Sequence, residues 1–159
     1  MTLGSPGALG ASAFSCDIKG GNQLTNGQSL AGSAGSFISE ISFGSGISYT
    51  GGPTFMLQPG VYLVQLSVPD VFLQFQSQPG GQTATFRVQL TVNGIDSALF
   101  NIPGSINTIP NSVSAFVAVN GNQLFNFLGA NTVIGFNVIF NTDRATTSGG
   151  CQIVFTQLQ

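Results

Sequence analysis

The chain of 159 residues carries three basic side chains, Lys19, Arg87 and Arg144, and five acidic ones, Asp17, Glu40, Asp70, Asp96 and Asp143, with no histidine. Charged residues make up 5% of it, against about 25% in an ordinary soluble domain. That scarcity excludes Ser-His and Cys-His catalysis, zinc or iron sites built from His or clustered Cys, and the multiple phosphate contacts that nucleic-acid binding needs.

The 42% apolar content, with 14 Phe and no Trp, supplies one full core, and disorder goes with the opposite composition. No apolar run reaches about 18 residues, so no transmembrane helix and no membrane insertion are expected. The start, Met1-Thr2-Leu3-Gly4-Ser5-Pro6, lacks the basic and apolar segments of a secretory signal.

Residues 1–36 are rich in Gly, Ser, Ala and Asn and show no sustained period; they read as a flexible N-terminal arm. Gly4, Gly7 and Gly10 fall at every third position, too few triplets for a collagen triple helix on their own. Phe14, Cys16 and Ile18 alternate and could form a strand on a sheet edge of this domain or of a neighbour. Cys16 and Cys151 match no metal or redox spacing. They read either as two thiols or as a disulfide. Within one chain it would close a loop of about 135 residues, worth about 5 kcal/mol in the chain-entropy model. Between chains it would staple subunits together.

Residues 37–159 are a succession of short runs with period two, the mark of half-buried strands. Tyr62, Val64, Leu66 and Val68 share one face. Phe86, Val88, Leu90 and Val92 share another, opposite Arg87, Gln89, Thr91 and Asn93. Val113 to Val119, Ile134 to Phe140 and a last run from about Cys151 to Leu158 repeat the pattern. Asn93-Gly94 and Asn120-Gly121 read as hairpin turns, because Asn and Gly tolerate positive φ. No helical stripe persists for three turns. The expected fold is an all-β sandwich of eight to ten antiparallel strands, with jelly-roll and immunoglobulin-like topologies as contenders.

Candidate chemistry is thin. Asp70 and Asp96 could pair as glycosidase carboxylates but read as turn residues. Gly20-Gly21 and Gly51-Gly52 precede no Lys-Ser/Thr and are not phosphate loops. Tyr49 is the one clear aromatic platform for a glycan. No cofactor and no enzymatic activity are expected. Without histidine, stability should vary little between about pH 5 and 9. Val61, Leu63, Leu73, Phe75, Phe100 and Phe116 are surplus to one solvated sheet face; either subunits bury them on association or some of them face the second sheet of the sandwich.

The order of residues carries more. Phe55-x-x-x-Pro59-Gly60-Val61-Tyr62-x-Val64, then Val88 to Gly94 ending in Asn-Gly, then Ile153 to Leu158, resemble the central motif and strands of C1q-like domains of the C1q/TNF group. Within that group the chain resembles the bacterial members, the C-terminal heads of collagen-like spore-surface (exosporium) proteins. Asn122 stands where the family usually has Asp, so no calcium ligand is carried over. The resemblance implies a ten-stranded jelly roll over 37–159 that forms homotrimers, with Tyr62 near the trimer axis or in the core beneath it. It implies an extracellular setting, on a spore surface or virion. The expected function is a structural building block of a surface layer, appendage or fibre, assembling further through the arm. A glycan- or receptor-binding head is the alternative.

Overall fold

The computed structural model describes residues 12–18, 20–21, 23–30, 37–49, 52, 54–75, 83–107, 114–147 and 150–158. Twelve strands are named among them: β1 (Ala13–Ile18), β2 (Gln23–Leu24), β3 (Phe37–Phe43), β4 (Ile47–Tyr49), β5 (Thr54–Leu57), β6 (Gly60–Gln74), β7 (Thr83–Val92), β8 (Ile95–Asn107), β9 (Ser114–Phe127), β10 (Thr132–Phe140), β11 (Arg144–Thr147) and β12 (Cys151–Gln157). The expected count of eight to ten fell short because β2, β4, β5 and β11 have only two to four residues. Runs that short show no period.

The strands form two sheets packed face to face. In the first, β9, β6, β12, β1 and β3 lie side by side, and β11 with β2 continues along the far half of β6. The second runs β4-β5-β10-β7-β8. Every pairing between these strands is antiparallel. This is a jelly-roll sandwich.

The inward phase is the one the period predicts. Tyr62, Val64, Leu66 and Val68 of β6 are buried, as are Phe86, Val88 and Leu90 of β7 and Ile134, Phe136, Val138 and Phe140 of β10. Phe55 sits where the sheets meet. Its ring centroid lies 5.4 Å from Phe14, 6.1 Å from Phe136 and 5.0 Å from Phe155, so four strands from both sheets converge on one aromatic cluster. Tilted and edge contacts at these distances suit the ring quadrupoles.

Four expectations need correction. The sandwich does not begin at residue 37. β1 lies between β12 and β3, an interior strand rather than an added edge, and Phe14 and Cys16 are buried. Asn26 to Ser29 then line the flank of β10 beyond the end of β5. There Gly27 N donates to Val138 O (2.8 Å) and Val138 N donates to Gln28 O (2.9 Å), with Leu24 and Leu30 in the core. Residues 1–11 and 31–36 of the expected arm lie outside the described residues.

Asn120-Gly121 is not a turn. Both residues lie mid-strand in β9, opposite Ser67 and Leu66, because the 15-residue β6 offers a partner along that whole length. Val117 and Val119 face the core before them, and Phe125 and Phe127 after them. Asn93-Gly94 does turn, with φ of 52° and 77°, and joins β7 to β8.

Leu73 and Phe75 are not surplus. The register of β6 against β9 shifts between Val68 and Val71, leaving Pro69 and Asp70 exposed and moving the inward phase from even to odd positions. A bulge adds one residue to one strand and flips every side chain beyond it, and proline tolerates the lost ladder bond there. Val71, Leu73 and Phe75 are therefore core.

From its sequence the stretch between Ser97 and Ser112 is expected to be a loop, but residues 97–107 of it lie in β8. The side chain of Phe100 lies outside those described.

Candidate functional site

Phe55 and Tyr62 of the central motif are both fully buried. The Tyr62 hydroxyl lies 3.1 Å from the Gly46 carbonyl oxygen and 2.9 Å from that of Gln58. Gly46 also donates its N–H to Ser12 Oγ (2.8 Å) and accepts one from Gln58 N (2.8 Å). The turn that carries the chain from β3 in one sheet to β4 in the other is thus tied to the Pro59 turn and to the start of β1. Tyr62 is a core strut of the subunit, and burial pushes its hydroxyl pKa up. Pro59 is exposed beside it, and Gly60 opens β6.

Cys16 and Cys151 come together, but as thiols. Cys16 is opposite Ile153 and Cys151 opposite Ile18, so the two face the same interior side one row apart on adjacent strands. Both are buried, and no disulfide joins them. Diagonal residues of that kind are about 7–8 Å apart, beyond the usual span of a bridge. A staple between subunits would need a thiol at the surface, and neither is there. Burial pushes the Cys151 thiol up to about 11.

Tyr49 is no open platform. Its ring lies 5.3 Å from Phe55 and 6.3 Å from Phe14, packed against the core. Its pKa is raised by burial first, then by Cys16 and Glu40. Asp70 stands in the β6 bulge of one sheet, and Asp96 near the start of β8 in the other. Among the described residues no group of three His, Cys, Asp or Glu could hold a metal.

What the fold does assemble is a surface. On the outward face of the first sheet, register sets residues in rows across five strands. One row reads Leu124, Leu63, Thr156, Ala13, Phe43. The next reads Asn122, Gln65, Val154, Ser15, Ile41. Neither row holds a charged residue. Ile41, Phe43 and Leu124 are 69%, 66% and 59% exposed, and farther along Phe116, 57% exposed, lies against Phe72 at 5.1 Å between rings. Val61 and Leu63 are half-buried, on the side opposite Tyr62 as expected. The apolar row lies toward the end of the sandwich where Ile95, Leu128 and Leu158 are also exposed.

A third row, Asn120, Ser67 and Gln152, is polar and continues to the register positions of Asp17 and Ser39. Gln65, Ser67, Asn120, Asn122, Gln152 and Val154, with Leu66 and Gly121, line a depression of about 400 Å³ in this face. Spacing alone could not reveal this surface, because Asn120-Gly121 reads as a turn until β6 is seen to pair through it.

No protein-family model and no curated protein matches the chain. Solved structures do. The sandwich superposes on murine APRIL at pH 5.0 with a TM-score of 0.55 and 15% identity, covering 93% of this chain and 99% of that one. It superposes on the globular domain of zebrafish complement 1qA with a TM-score of 0.54 and 15% identity, covering 92% and 96%. For Eiger TNF from S. frugiperda the TM-score is 0.55 and the identity 11%, covering 94% and 92%. The chain has a C1q/TNF-like jelly-roll fold.

Proposed function

We propose that this chain is a non-enzymatic, self-associating head or building block of an extracellular surface, working as a homotrimer. The observation that carries the reading is the outward face of the β9-β6-β12-β1-β3 sheet, where Leu124, Phe43, Ile41 and Phe116 are exposed and the two rows through Leu124 and Asn122 hold no charged residue. Exposed apolar side chains gathered on one face mark an interaction surface rather than scattered surface hydrophobics. A partner that covers them removes that area from water at about 25 cal/mol per Å². A second copy of the chain meets the requirement, since the two rows that carry Leu124, Phe43 and Ile41 have no charge to repel their like. The likeness of fold to complement 1qA and to TNF proteins supports the same reading.

Within it, a structural role on a microbial surface, of the spore-coat or fibre kind, follows from the motif resemblance and from the dearth of charge. Further assembly through residues 1–11 belongs to the same proposal. The test is the native mass by light scattering after size exclusion, in reductant. A mass near three times the 16.4 kDa chain is expected. A single-chain mass at every concentration overturns the reading.

A further inference from the structure

The outward face of the first sheet is banded. The apolar row of Leu124, Leu63 and Phe43 lies on one side, and Phe72 with Phe116 on the other. Between them stand Gln65, Asn122, Asn120, Ser67 and Gln152, five uncharged hydrogen-bonding groups around the depression. Ser67 Oγ donates to Asn120 Oδ1 at 2.7 Å, which orients that carboxamide before any partner arrives.

An apolar face by itself attracts any other apolar surface, because hydrophobic attraction is non-directional. A carboxamide is selective. Covered by matching donors and acceptors it costs little; covered by an apolar side chain it loses its water and gains nothing. An amide band inside an apolar face therefore penalises every offset and angle that leaves the amides unmatched, as a single buried Asn fixes the register of a coiled coil.

We propose that Gln65, Asn120, Asn122 and Gln152 set the register and copy number of self-association, while the apolar rows supply its affinity. The partner is a second copy of this chain, and the inference rests on the self-association reading above.

The test is sedimentation velocity over a concentration series on the parent chain and on a Gln65→Leu/Asn122→Leu double variant. Both positions are exposed in the subunit, and circular dichroism checks that the fold survives. The parent should show one associated mass. The variant should associate at roughly tenfold lower concentration, since apolar replacement of covered polar groups often tightens a contact, and should spread over more than one mass. A Gln65→Ala/Asn122→Ala variant, which removes the amides without adding apolar bulk, should spread likewise without tightening. If the parent associates and both variants keep its single mass, the amide inference is overturned and the self-association reading stands. A monomeric parent overturns both.

Discussion

The Tyr62 hydroxyl lies 3.1 Å from the carbonyl oxygen of Gly46, sixteen residues earlier in the chain and in the turn that changes sheets. One phenol thus pins the crossover to the strand that runs the length of the first sheet. Tyr62→Phe keeps the ring and removes the anchor. It should cost about 1 kcal/mol, the net worth of one intramolecular hydrogen bond, with the native mass unchanged. Denaturant unfolding and light scattering read the two separately. Unaltered subunit stability with an altered mass would move Tyr62 from the core to an interface.

The same turn depends on Gly44. Its φ is +77°, and a Cβ there would press on Ser12 Oγ. Gly44→Ala should destabilise the subunit by more than about 1 kcal/mol, because alanine is strained at positive φ. Gly52, where a Cβ would meet nothing within 4 Å and φ is not positive, is the control. Equal melting temperatures for the two alanine variants would contradict this account of the turn.

Much of the sandwich was legible. Strands long enough to repeat, such as Val61–Val68 and Ile134–Phe140, declared both their period and their inward face. Asn93-Gly94 declared its turn, and the Phe55 to Tyr62 motif pointed to the jelly roll. What stayed hidden depended on distant partners. β1 lies in a Gly-rich stretch and becomes an interior strand only through Phe14 opposite Phe155 and Ser42. The Pro69-Asp70 bulge reverses the phase of Leu73 and Phe75 without any local sign of which face the core takes. The outward rows exist only once register is known, so the candidate surface could be expected in kind from surplus apolar residues, but not located.

Cys16 and Cys151 test the interior directly. Both thiols should resist Ellman's reagent in the native protein at pH 8 and react once denaturant is added, since both are buried away from the reagent and the raised pKa of Cys151 makes it a poor nucleophile besides. A non-reducing denaturing gel should show single chains. Rapid native labelling, or a ladder of linked chains, would contradict the placement of both side chains.

The alkaline limb of the stability profile follows from the same burial. The Cys151 thiol is raised from 9.0 to about 11, and the Tyr62 and Tyr49 hydroxyls are raised as well. These groups hold their protons more tightly in the folded state. The stability that Cys151 contributes is fully present below pH 9 and is lost as pH rises from 9 through 11, and that of the tyrosines begins to be lost only above pH 10. For Cys151 the loss is about 1.4 kcal/mol per pH unit across that window. Denaturant titrations at pH 8, 10 and 11 should show a falling midpoint; an unchanged midpoint at pH 11 would contradict it.

The central claim is that the outward face of the β9-β6-β12-β1-β3 sheet joins copies of the chain. Leu124, exposed in that face opposite Leu63, is the place to interrupt it. The measurement is the native mass of Leu124→Asp beside the parent, with circular dichroism to verify the fold. The account predicts a trimeric parent and a folded, monomeric variant, because a carboxylate placed in a covered apolar contact has no partner there. A variant that keeps the parent's trimeric mass would contradict it.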